Sequence, residues 1–128
     1  MQKNIIETNQ APAAIGPYSQ AVKTGNLIFV SGQIPLDPQT GNMVTEGIEV
    51  ETHRVMKNLE AILMAANSNF DHVVKTTIFL KTMDDFAKVN AVYASYFTGN
   101  FPARETVEVS RLPKDARVEI SVIANAAP

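Results

Sequence analysis

The chain has 128 residues, 45% of them hydrophobic, and a formal net charge of −2, values typical of one globular domain spanning residues 1–128. It contains no cysteine, which excludes disulfides, thiolate nucleophiles and metal sites built on cysteine. The basic residues are scattered rather than gathered into a stripe, so we expect no nucleic-acid partner.

The first ten residues do not resemble a targeting signal. The segment MQKNIIETNQ has neither the apolar core of a signal peptide nor the arginine-rich amphipathic pattern of a transit peptide. Apolar runs farther along are too short to cross a bilayer. We therefore expect a cytoplasmic protein without a membrane partner.

Two strands are predicted in the first third of the chain. The proline- and glycine-containing segment 11–20 predicts an irregular loop, with a strand beginning at Tyr18. Leu27 to Val30 is an apolar run rich in β-forming residues and predicts the next strand. Gly25 and Asn26 favour a hairpin turn between the two strands.

Two helices and a central strand follow. Apolar residues at helical spacing predict a helix over residues 46–66 and a second helix over 84–97. The β-branched run from His72 to Lys81 predicts a strand between them. With two more strands at the end, the order β-β-α-β-α-β-β indicates an α+β fold, a mixed sheet with two helices on one face.

The segment from Phe101 to Ile120 predicts two short strands that place an arginine and a glutamate on polar faces. Period-two alternation puts Arg104 and Thr106 on one face of the first strand, and Glu119 on the polar face of the second. If the strands pair as a hairpin through residues 112–115, the two polar faces coincide. Such a patch is either a site or a solvated sheet face, and periodicity does not decide between them.

Apolar residues on both faces of the inner strands predict self-association. In the runs 27–30 and 73–80, any register leaves Phe29, Ile78 or Phe79 on the face without helices. Burial against other subunits is the natural remedy for such a face, so we expect a homo-oligomer.

Arg104 and Glu119 are the strongest candidates for chemistry. The planar guanidinium of Arg104 can bind a carboxylate or phosphate through two hydrogen bonds, and the alternative is an ion pair with Glu105 or Glu108. Glu119 lies between the apolar residues Val118 and Ile120. A carboxylate there could act as a general base on water or hold a polar substrate group, and partial burial would move its pKa towards a useful range. The alternative is that Glu119 has only a structural role, as a partner of Arg117 or Lys114.

Three further polar residues fit the rim of a pocket. Asn90 lies on the apolar stripe of the second helix, where its amide either braces a loop or lines a pocket. Tyr18 and Ser31 lie at strand ends, where pockets open. The two histidines do not predict a metal site, and no phosphate-loop, dinucleotide or nucleophile-elbow motif is present.

Four segments together resemble one known family. They are APAAIGPYSQA, FVSGQIPLDPQTG, VNAVYASYF and FPARETVEVSRLPKDARVEI. The chain closely resembles the RidA/YjgF family of reactive-intermediate deaminases, and the likeness runs essentially from end to end. The resemblance implies a chorismate-mutase-like (YjgF-like) fold, assembled as a homotrimer with a central barrel of sheets and the helices outside.

The resemblance also implies an activity and a set of residues. Family members hydrolyse 2-imino acids, formed from enamines such as 2-aminoacrylate, to 2-keto acids and ammonium without a cofactor or metal. In clefts between subunits, Arg104 matches the arginine that grips the substrate carboxylate, and Glu119 matches the glutamate that positions or activates water. The other matching cleft residues are Tyr18, Ser31, the backbone at Gly32, and Asn90.

Residue 106 departs from the family pattern, because many relatives have cysteine where this chain has Thr106. The backbone N–H of Thr106 can still donate to a substrate carboxylate, so the change argues against thiol chemistry and not against binding. Two rival functions remain. One is a non-catalytic trimer that senses keto or amino acids; the other is an endoribonuclease or translation inhibitor, which the acidic composition disfavours.

Overall fold

The computed structural model describes residues 2–127, which form a six-stranded sheet and two α-helices. The strands and helices, in chain order, are β1 (Asn4–Ile6), β2 (Ala21–Thr24), β3 (Leu27–Gln33), α1 (Ile48–Ala65), β4 (Val73–Leu80), α2 (Phe86–Ala94), β5 (Ala103–Glu108) and β6 (Val118–Asn125). Short 3₁₀ turns precede β4, α2 and β6. The α+β class with a mixed sheet and two helices is confirmed.

The spatial order of the strands is β1-β2-β3-β6-β4-β5. The pair β4–β5 is parallel, and the other four pairs are antiparallel. The predicted hairpin of the last two strands is therefore wrong, because β4 lies between β5 and β6. Nine residues, 109–117, separate the two strands, and they carry the chain across the end of β4 instead of turning it back.

Helix α1 forms because its apolar residues recur every three or four positions. Its buried residues are Ile48, Glu51, Thr52, Val55, Met56, Asn58, Leu59, Ile62 and Leu63. This stripe packs against β3 and β6, whose inward residues Ile28, Val118 and Ile120 are also fully buried. The core therefore lies between the helices and one face of the sheet.

The predicted boundaries differ from the structure mainly at strand and helix ends. Helix α2 is shorter than expected, because residues 83–85 form a 3₁₀ turn before it and the helix ends at Ala94. The strand expected from Tyr18 begins at Ala21, and the edge strand β1 was not predicted. The β2–β3 hairpin through Gly25 is confirmed, with Gly25 in the left-handed conformation that its two-residue turn requires.

The face of the sheet without helices exposes apolar side chains. Ile5, Leu27, Phe29 and Val107 lie on it and are 40–55% exposed in the single chain. This is the face that the sequence predicts to be buried against other subunits. Within residues 2–127, no helix has the length and apolar character that a membrane span requires.

Candidate functional site

Arg104 lies on β5 and is held by side chains of α2. In the parallel β4–β5 register it sits opposite Thr76, on the face of the sheet that carries the helices. Its Nη1 donates to Asn90 Oδ1 at 2.6 Å. The guanidinium carbon also lies 5.7 Å from the ring centre of Phe86 and 5.3 Å from that of Tyr93. Arg104 is nevertheless exposed, so its remaining donors are available to a ligand.

A cavity of about 430 Å³ opens beside this arginine. Its lining residues are Asn90, Tyr93, Ala94, Phe101, Pro102 and Arg104. Neither predicted alternative for Arg104 is observed among residues 2–127. Glu105 pairs with Lys75 at 3.2 Å, and Glu108 accepts a hydrogen bond from the Met83 backbone at 2.8 Å.

Thr106 follows on the same face of β5, two residues beyond Arg104. It is half-buried, and its Oγ1 is buried without a hydrogen-bond partner among the described residues. It does not line the cavity beside Arg104. The structure therefore brings Arg104 and Asn90 together and leaves Thr106 next to them on the strand.

Glu119 lies on β6 and faces a second cavity, of about 570 Å³. Burial raises the pKa of this carboxyl above its ordinary value. Neither Arg117 nor Lys114 forms an ion pair with it, since Arg117 pairs with Glu51 at the start of α1. Among residues 2–127, Glu119 makes no hydrogen bond that would hold it in its ionised form, so it is free to accept a proton.

Three more predicted residues line the Glu119 cavity, namely Tyr18, Ser31 and Gly32. Ser31 Oγ donates its hydrogen to the Ser19 carbonyl at 2.6 Å, so this hydroxyl can act only as a hydrogen-bond acceptor towards a ligand in the cavity. Tyr18 is about half exposed at the cavity rim.

The carboxyl group of Glu119 lies so close to the backbone of Gly32 that this position has no room for a side chain. A Cβ atom at position 32 would lie 2.9 Å from Glu119 Cδ and 3.1 Å from its Cγ, and closer still to Oε2. Position 32 also lies where the β3–β6 register shifts, between Val30 and Gln33. Only a residue without a side chain lets the carboxylate rest against the backbone here.

The two cavities open on opposite faces of one sheet. Arg104 is in register with Thr76, whereas Glu119 is in register with Phe79, and residues three apart on β4 point to opposite sides. The expectation that their polar faces coincide within the chain is therefore wrong. The chain thus has two separate groups of candidate residues, one around Arg104 and one around Glu119, and we call each group a half-site.

Sequence reasoning missed several residues of these half-sites. Phe86 and Tyr93 on α2 pack in or against the hydrophobic core, and their rings also flank Arg104. In the sequence, the spacing of four and three positions between Phe86, Asn90 and Tyr93 indicates that the three side chains share one face of the helix. Lys114 lines the Glu119 cavity from a turn in which it and Asp115 both have φ of 55°. No local pattern in the sequence indicates that left-handed backbone.

Comparison with known proteins identifies the family. A family model described as Endoribonuclease L-PSP matches residues 8–126. A RutC family protein of Pyrococcus abyssi is 54% identical over 124 residues, which are 97% of this chain and 98% of that protein. A Mus musculus protein named 2-iminobutanoate/2-iminopropanoate deaminase is 48% identical over 126 residues, 98% of this chain and 93% of that protein.

A solved structure agrees with these sequence matches. A Yersinia pestis protein of the conserved Rid protein family has a TM-score of 0.96 and 52% identity, covering 98% of this chain and 100% of that one. The chain belongs to the RidA/YjgF family. The match of this RidA/YjgF chain extends over nearly the whole length of these three proteins, and the residues of both half-sites lie within the region that the family model matches.

Proposed function

We propose that this RidA/YjgF protein is a cofactor-independent deaminase that hydrolyses 2-iminobutanoate and 2-iminopropanoate to 2-keto acids and ammonium. The observation that carries the proposal is Glu119, a half-buried carboxyl with a raised pKa that lines a cavity and has no partner among the described residues. The relative named as a deaminase of these two imino acids supports the choice of substrate.

Arg104 supplies the binding step. A 2-imino acid carries a carboxylate next to its reactive carbon, and a guanidinium can hold that carboxylate through two parallel hydrogen bonds. Asn90 occupies one hydrogen of Nη1, which leaves the edge formed by Nε and Nη2 for the substrate. Binding through this edge fixes the direction in which the imine carbon points.

Glu119 supplies the proton transfer. Its carboxylate takes a proton from water while the water oxygen attacks C2, the C=N double bond becomes a single bond, and Glu119 passes that proton to the nitrogen. Glu119 then takes the hydroxyl proton of the resulting carbinolamine as the C=O bond forms. It returns this proton to the nitrogen as the C–N bond breaks, so the products are a keto acid and ammonia, and solvent protonates the ammonia to ammonium.

The two half-sites require two copies of the chain. Arg104 and Glu119 lie on opposite faces of one sheet, so a single small substrate cannot contact both within one chain. Glu119 shares its face with the exposed side chains of Phe29 and Val107. We therefore propose that this face packs against other copies, in a homotrimer whose clefts join one chain's Arg104 to the next chain's Glu119.

The decisive test replaces Arg104 with alanine. An amino acid oxidase generates 2-iminobutanoate from 2-aminobutanoate, and release of 2-oxobutanoate is followed with and without protein. We expect Arg104→Ala to abolish acceleration while the assembly, measured by light scattering, stays intact. Arg54→Ala on α1 is the matched control and should retain activity. Full turnover by Arg104→Ala would refute the proposal.

The rival functions predict different results in the same experiment. A metabolite sensor would bind 2-oxobutanoate in wild-type protein without accelerating imine hydrolysis. An endoribonuclease would cleave RNA in a manner that survives Arg104→Ala. Lys114 is the only cationic side chain lining the Glu119 cavity in the described chain, which is a poor match for the repeated phosphates of RNA.

A further inference from the structure

Arg104 is surrounded by three side chains that lie along one face of α2. Phe86, Asn90 and Tyr93 are separated by four and three residues, the spacing that brings side chains together on one side of a helix. Two aromatic rings flank the guanidinium, and an amide oxygen accepts from Nη1 at 2.6 Å. Three side chains of α2 thus contact the guanidinium of Arg104.

All three of these groups are neutral at physiological pH. Phenylalanine and asparagine do not ionise. Tyr93 donates its hydroxyl hydrogen to Thr76 Oγ1 at 2.9 Å, and burial raises the pKa of Tyr93 above its ordinary value despite the nearby positive charge of Arg104. The contacts therefore restrain the guanidinium and leave its charge uncompensated.

The acidic residues of β5 do not neutralise Arg104 either. Glu105 points to the opposite face of the sheet, where it bonds Thr77 at 2.7 Å and Lys75 at 3.2 Å. Glu108 lies on the same face as Arg104 but about 13 Å along the strand, and it accepts from the Met83 backbone. No ion pair within residues 2–127 includes Arg104.

We propose that Phe86, Asn90 and Tyr93 form a neutral cage, whose role is to orient Arg104 while reserving its positive charge for the ligand carboxylate. They are positioning residues, and the inference rests on the proposed function in taking that ligand to be a 2-imino or 2-keto acid. An acidic residue in the cage would hold the arginine equally well and would compete with the ligand for it. The amide of Asn90 has the geometry of aspartate without its charge.

The test is Asn90→Asp, read by ligand affinity and thermal stability together. We expect the variant to bind 2-oxobutanoate about tenfold or more weakly by calorimetry, because its carboxylate neutralises the guanidinium. Its melting temperature should stay the same or rise, since an ion pair replaces a neutral hydrogen bond. Ala87→Asp adds the same charge at an exposed position of α2 and should bind as wild type does.

Phe86→Leu tests the aromatic part of the cage and should weaken binding about two- to fivefold at little change in melting temperature. Wild-type affinity in Asn90→Asp would overturn the cage, as would affinity losses that merely follow losses of stability in the two variants. Wild-type protein that binds 2-oxobutanoate without hydrolysing imines would refute the deaminase and leave the cage standing. Absence of binding by wild type would overturn both.

Discussion

Replacing Gly32 with alanine is expected to disable Glu119 while the fold persists. The new Cβ would meet Glu119 Cδ at 2.9 Å, whereas ordinary contacts begin at 3.4 Å, and Oε2 would be closer still. The carboxylate must therefore withdraw by roughly 1 Å, and a displacement of that size at a reacting group can lower the rate by about 100-fold. Gly32 is not in the left-handed region, so its backbone accepts alanine without strain.

Imine hydrolysis and thermal unfolding, measured on the same preparations, check this reasoning. We expect kcat to fall about 100-fold, with a melting temperature close to that of wild type. In a Glu119→Gln background, Gly32→Ala should cost little further activity, because both changes act through one carboxylate. Undiminished turnover in Gly32→Ala would refute the argument, and so would an equal loss in both backgrounds.

Three further outcomes are expected. Glu119→Gln should slow turnover more than it weakens 2-oxobutanoate binding, and equal losses would make Glu119 a binding residue. Burial raises the pKa of Glu119 above its ordinary value of 4.5, so the free energy of unfolding that protonated Glu119 contributes is complete below pH 4.5 and is lost as the pH rises through the raised pKa. Urea unfolding should show this loss relative to Glu119→Gln, and pH curves of the two proteins that run parallel would contradict it. Phe29→Lys should reduce the assembly to smaller species in light scattering, whereas an unchanged mass would place the interface elsewhere.

Local patterns predicted the helices well because helical periodicity is a short-range property. The stripe from Ile48 to Leu63 defines α1 within two residues at each end. The hairpin prediction failed because strand order depends on which segments meet across the whole chain. Strand β6 follows β5 in the sequence, but in the sheet it pairs with β3 and β4. Nothing within residues 101–120 reveals those partners.

The candidate residues came from residue chemistry and from the family resemblance, but neither gave their arrangement. The structure places all of them except Thr106 in the lining of two cavities on opposite faces of the sheet. Gly32 illustrates what the residues alone do not tell. Glycine is required at position 32 because the carboxyl of Glu119 lies against its backbone. Glu119 is 87 positions away in the chain and reaches Gly32 only through the β3–β6 pairing.

The position of β6 ties the assembly of the fold to the appearance of the site. It is the last of the six described strands along the chain, yet it lies between β3 and β4, so the two parts of the sheet have no direct pairing without it. Such long-range pairing slows folding and keeps strand edges open in the meantime. Because β6 also carries Glu119, a sheet without this strand lacks the proposed base, and the Glu119 cavity forms only when β6 has paired.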